Sequence, residues 1–140
     1  MKIRRFEPQD ENAVVALWEA CGLTRSWNDP AKDIARKISD SPVGFLVGCE
    51  DGEIVGSVMV GYDGHRGWVN YLAVAPSARR QGYGGLLMAE AEAHLKQVGC
   101  PKLNLQVRSA NESVLAFYER LGYTREERVS FGKQLEGDES

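Results

Sequence analysis

Apolar residues recur along this chain at two spacings, and each change of spacing marks a new element. Residues 2–6 read as a short strand. Over residues 8–21, Val14, Val15, Trp18 and Cys21 recur at helical spacing, and Gly22 ends the run. Asp29-Pro30 predicts a second helix start, a capping side chain followed by proline at the first helical position. Ile34 and Ile38, four residues apart, then share one face. Residues 43–50 form an apolar strand, and Asp51-Gly52 is a two-residue hairpin turn. Residues 53–62 return, with Val58 and Val60 on one face. Residues 63–67 make a second hairpin connection, residues 68–74 a third antiparallel strand, and Pro76 stops it.

A long helix follows over residues 84–98, with Leu87, Met88, Ala91, Leu95 and Val98 as its buried stripe and Gly99 as its stop. Residues 102–107 alternate Leu103, Leu105 and Val107 against Lys102, Asn104 and Gln106, the pattern of a strand. Asn111 caps a further helix carrying Val114, Leu115, Phe117, Tyr118 and Leu121, and Gly122 ends it. Residues 123–135 read as a last strand. The order is β-α-α-β-β-β-α-β-α-β. A strand, helix, strand crossover over residues 68–107 implies one parallel pair in an otherwise antiparallel sheet. The expected fold class is α/β (α+β), a mixed sandwich in one domain spanning residues 1–140.

Composition narrows the function classes. The chain is 43% hydrophobic and 26% charged over 140 residues, ordinary for a soluble globular domain. The net charge of -3 argues against broad nucleic-acid binding, which needs a basic face. The three cysteines, Cys21, Cys49 and Cys100, are far apart, and no Cys-x-x-Cys occurs. With His65 and His94 elsewhere, no metal pattern is expected, and reduced thiols in a cytoplasmic protein are the plain reading. The basic start lacks an apolar h-region, and no run approaches the ~18 apolar residues of a membrane span, so neither export nor insertion is expected.

The candidate chemistry lies between a strand and the long helix. Arg79-Arg80-Gln81-Gly82-Tyr83-Gly84-Gly85 is rich in glycine and in positive charge. Glycine lets backbone approach an anion closely, and the N–H groups opening the helix point at it. Arg79 and Arg80 add cations suited to phosphate oxygens, so a diphosphate is the natural ligand. A solvated turn with two surface arginines is the plainer alternative. Two nucleotide motifs are excluded by spacing. There is no Gly-Lys-Ser/Thr. A dinucleotide fingerprint would need glycine where Leu87 stands.

Arg79-x-x-Gly82-x-Gly84, after Tyr71-Leu72-Ala73-Val74-Ala75-Pro76, resembles motif A of the GNAT (GCN5-related) N-acetyltransferases. The run from Asn111 through Phe117-Tyr118-Glu119-Arg120-Leu121-Gly122-Tyr123 resembles their motif B. Trp27-Asn28-Asp29-Pro30 and Gly61-Tyr62-Asp63-Gly64-His65-Arg66-Gly67 further resemble the small bacterial YpeA-type branch. The resemblance implies acetyl-CoA as donor and an amine as acceptor, and no metal. It implies a pantetheine arm held in a gap between two splayed parallel strands, by main-chain groups of Leu72, Ala73 and Val74. The diphosphate would rest on Gln81, Gly82, Tyr83, Gly84 and Gly85. Asn111 would bond the cofactor arm, and Tyr118 would protonate the leaving sulfur.

The base is left open. Some relatives carry glutamate where this chain has Gln106, which is no useful proton acceptor. Asp63 and His65 on the hairpin are the alternatives, with simple turn chemistry as the competing role for Asp63. Trp27 and Trp68 could line an acceptor pocket or simply pack. A non-catalytic acyl-CoA-binding module is the rival function. The family analogy also allows a homodimer built through the last strand.

Overall fold

A computed structural model describes residues 1–25 and 28–136. The described residues fall into two units, one within residues 1–104 and one within residues 105–136.

In the first unit, β1 (Lys2–Arg5), β2 (Phe45–Glu50), β3 (Glu53–Tyr62), β4 (Gly67–Val74) and β5 (Leu103–Asn104) form one sheet in that order. The first three pairings are antiparallel and the last is parallel. The expected parallel pair is therefore present. It joins Gly67 to Leu103 and Trp68 to Asn104 and stops there, so β5 is two residues long rather than the six expected.

Helices α1 (Glu11–Ala20), α2 (Pro30–Asp40) and α3 (Tyr83–Gln97) connect these strands. The α1 stripe Val14, Leu17 and Trp18 is buried at the spacing of one helix face. A 3-10 turn, Pro8–Asp10, leads into it. There the Asp10 carboxylate accepts both guanidinium arms of Arg4, at 2.7 and 3.0 Å, and the Glu7 N–H at 2.8 Å. Asp29 caps α2 as the sequence predicts, its Oδ1 accepting the Ala31 and Lys32 N–H groups. Ile34 is fully buried while Ile38 is 39% exposed.

The two sheet faces have separate cores. Phe45, Val47, Met59 and Ala73 pack with Val14, Leu17, Trp18 and Ile34. On the other face α3 lies so close that a Cβ at Gly67 would fall 2.5 Å from Leu95 Cδ1, and one at Gly56 would fall 2.9 Å from Leu87 Cδ1. Leu87, Met88, Ala91 and Leu95 are buried there, but Val98 is half exposed because it is the C-cap, beyond the last turn.

In the second unit α4 (Glu112–Arg120) is capped by Asn111, whose Oδ1 accepts the Val114 N–H. The last strand expected over residues 123–135 does not form, and described residues from Tyr123 on lie in no helix or strand. Val129, Phe131 and Leu135 are almost wholly exposed. A strand forms only where a neighbouring backbone supplies the ladder, and none of the described residues supplies one to this run. Residues 137–140 of the acidic tail lie outside the described residues.

Candidate active site

The centre of the site is a bulge in β4. Met59 pairs with Asn70 and Ser57 with Ala73, so β4 carries one more residue than β3 across this interval. Tyr71 takes a φ of +52°, a rare value for a bulky side chain. The extra residue reverses the alternation. Gly67 faces Leu95 of α3, and plain alternation would put Tyr71 on that face too. Instead Tyr71 stacks on Trp18 on the opposite face, ring centroids 3.8 Å apart. Ser57 Oγ donates to the Tyr71 carbonyl at 2.9 Å and accepts the Trp18 indole N–H at 2.9 Å. The Tyr71 hydroxyl donates to Asp33 Oδ2 at 2.6 Å and accepts from Asn28 Nδ2 at 2.7 Å.

The residues after the bulge, Leu72, Ala73 and Val74, are those expected to hold the pantetheine arm. Ala73 is buried, whereas Leu72 and Val74 are partly open. The Val74 carbonyl accepts from Arg79 Nε at 3.2 Å and from Cys21 Sγ at 3.3 Å. Arg79 thus reaches back onto the strand, and both Arg79 and Arg80 remain exposed.

The glycine turn has the shape its composition predicts. Arg80 and Gly82 adopt φ of +68° and +77°, and Gly82 is the N-cap of α3. No side chain caps that end, and no acidic residue stands in its first turn. The first N–H groups of α3 therefore meet no carboxylate of their own helix, and the macrodipole favours an anion beside them. A Cβ at Gly82 would meet nothing within 4 Å, so the approach is open. The Tyr83 ring is buried with Val55 and Ala78 and its hydroxyl bonds Glu50, so only its backbone faces the turn.

Asp63 is committed to the hairpin. Its Oδ1 accepts the His65 and Arg66 N–H groups at 2.8 and 2.7 Å, and its Oδ2 accepts the Trp68 indole at 3.1 Å. The backbone donors of Arg66 and His65 hold its carboxyl below the usual range. A carboxylate held in this way is a weaker proton acceptor near neutrality, which favours the turn role that the sequence offered beside that of base. His65 sits on the same exposed hairpin, and its carbonyl accepts from Arg66. Trp68 lies partly exposed beside Asp63, and Trp27 lies outside the described residues.

In the second unit Tyr118 is half-buried on α4, edge-on to Phe117 and to Tyr123. Burial pushes its phenol up to about 12. Gln106 donates from Nε2 to Ser130 Oγ at 2.7 Å. Among the described residues no group of three or more His, Cys, Asp and Glu side chains could hold a metal, and no helix is long and apolar enough to cross a membrane.

Sequence reasoning missed Asn28, Asp33 and the side chain of Tyr71. Their only signal is the pair of polar residues flanking the predicted α2 start, which is equally explained by capping.

The chain matches the model of the acetyltransferase (GNAT) family over residues 11–123. It is 48% identical over 135 residues to an acetyltransferase of Pectobacterium atrosepticum, covering 96% of each chain. Among solved structures it is similar to Ard1 of Thermoplasma volcanium, with TM-score 0.79, 26% identity, and 88% and 82% of the two chains covered. It is also similar to Chaetomium thermophilum Naa20 in complex with a bisubstrate analogue, with TM-score 0.72, 26% identity, and 89% and 71% covered. With a family match over most of its length and relatives spanning nearly all of it, the chain is an acetyltransferase of the GNAT family.

Proposed function

We propose that this acetyltransferase moves acetyl from acetyl-CoA to a primary amine by direct attack. The observation that carries the donor is the opening of α3. Two left-handed residues and an uncapped helix start present main-chain N–H groups beside Arg80, in an open setting that suits a diphosphate. The bisubstrate complex of the similar Naa20 agrees with a two-substrate site in this family.

In this reading the acetyl group lies against residues 72–74, Asn111 bonds the cofactor arm, and Tyr118 is the general acid. The amine nitrogen bonds the acetyl carbon and the carbon–sulfur bond breaks. The thiolate takes the Tyr118 proton, and the phenol regains one shed by the nitrogen. A phenol pushed up to about 12 stays protonated throughout the neutral range, as a proton donor must.

The test is thiol release from acetyl-CoA against putrescine, tyramine, lysine and a peptide with a free α-amine, beside calorimetry with CoA, ATP and NAD. Amine-dependent release with selective CoA binding supports the proposal. A second reading, an acyl-CoA-binding module, is favoured by Gln106 standing where some relatives have a carboxylate. Tight CoA binding without amine-dependent release would establish it instead.

A further inference from the structure

Asp63 is tied up in its turn and Gln106 is an amide, which leaves His65 on the exposed hairpin and, on the α1 and α2 side of the sheet, Tyr71 as groups that could take the amine's proton. We propose that Tyr71 Oη takes the proton from the acceptor's ammonium, with Asp33 behind it as a positioning residue that receives the phenolic proton. The proposal rests on the reading above, which lays the acetyl group against residues 72–74, immediately after Tyr71.

Three observations carry it. First, the β4 bulge turns Tyr71 out of the α3 face and onto the side of α1 and α2, at the cost of a left-handed backbone. Trp18 and Ser57 hold it there, so the ring is fixed rather than merely packed. Second, the hydroxyl already donates to a carboxylate, at 2.6 Å, so its proton has a destination. Third, the same oxygen accepts an N–H donor from Asn28 at 2.7 Å. An ammonium is also an N–H donor, and it would take the position of that amide. Tyr71 is half-buried and the Asp33 side chain is 26% exposed, so a small cation can reach the pair. Arg36 on α2 bonds the other Asp33 oxygen at 3.2 Å and holds the carboxylate in place.

The transfer balances. An ammonium N–H bond breaks and its proton goes to Tyr71 Oη, while the Tyr71 O–H proton passes to Asp33 Oδ2. The free amine then attacks, and Asp33 later gives its proton to water. An alkylammonium loses its proton only near pH 10 by itself, so this relay would matter most at neutral pH.

The test compares Tyr71→Phe and Asp33→Asn with the unaltered chain, using the best amine of the panel above, as kcat/KM for the amine from pH 6 to 9.5. Both variants should bind CoA within twofold of the unaltered chain by calorimetry. At pH 7 Tyr71→Phe should lose about a hundredfold in kcat/KM, in the range of a general base. Its profile should then climb about tenfold per pH unit toward the pKa of the amine, so that the loss shrinks to a few-fold at pH 9.5. Tyr71→Phe keeps the ring that stacks on Trp18, and Asp33→Asn keeps an oxygen for the hydroxyl, giving a second variant should the first not fold. An equal loss at every pH, or no loss, overturns the relay. Failure of the unaltered chain to bind CoA or to acetylate any amine overturns the underlying reading instead.

Discussion

The rings of Trp18 and Tyr71 stack with centroids 3.8 Å apart and planes within 15°, and this contact fixes the direction of the β4 bulge. Tyr71 holds a left-handed backbone that costs roughly 1–2 kcal/mol for a residue with a Cβ. The stack, the Ser57 bond to its carbonyl and the Trp18 bond to Ser57 together offset it. Trp18→Phe keeps an aromatic face but removes the indole donor, leaving buried Ser57 one partner short. We expect a loss of about 1–3 kcal/mol, read as a lower urea midpoint with an unchanged slope. A midpoint equal to that of the unaltered chain would show that the indole bond contributes nothing.

Tyr118 links the proposed chemistry to an alkaline signature. Its burial favours the neutral phenol in the folded state and raises its pKa from the ordinary 10 to about 12. The folded value is the higher one, so its contribution to stability is full below about pH 10 and is lost as pH rises toward about 12. Tyr118→Phe should flatten that part of the thermal stability profile between pH 9 and 12. It should also keep CoA affinity while turnover falls about a hundredfold or more. Unchanged turnover would remove Tyr118 from the mechanism and leave the sulfur to water.

Charge at the opening of α3 separates a phosphate site from a bare turn. Gln81→Glu adds a carboxylate of the same size at an exposed position beside the helix N-terminus. Alone, that charge is neutral or stabilising by about 0.3–1 kcal/mol through the helix dipole. Against a diphosphate it is repulsive, so CoA affinity should drop about tenfold while the melting temperature holds or rises. Titration calorimetry and a thermal melt read both effects, and an unaltered CoA affinity would place the diphosphate elsewhere.

The hairpin carboxylate makes the opposite prediction. Asp63→Asn keeps an oxygen for the His65 and Arg66 N–H groups, so the turn survives. With Asp63 acting only as a turn residue, kcat at saturating amine should stay within a few-fold of the unaltered chain. A drop of a hundredfold with an intact melt would return Asp63 to the role of base.

Most of the fold was legible because local rules and tertiary packing agree. The Asp29 cap, the Asp51-Gly52 turn, the α3 stripe apart from its last member Val98, and the Gly82 turn each depend on residues within a few positions of one another. The two strand predictions fared differently. Residues 102–107 shortened to Leu103–Asn104, and residues 123–135 formed no strand. The first was read from alternation, which reports a side-chain pattern and, like any local strand signal, says nothing about whether a partner backbone is present.

From its residues alone, then, this chain determines the order of its elements as far as α4, its parallel crossover and the glycine-rich opening of α3, since these follow from backbone preferences and periodicity. The tertiary structure decided which way Tyr71 points, and so which carboxylate stands behind its hydroxyl. A one-residue bulge inverts every facing downstream of it, and that inversion is set by Trp18 and Ser57, distant in sequence and adjacent only after folding.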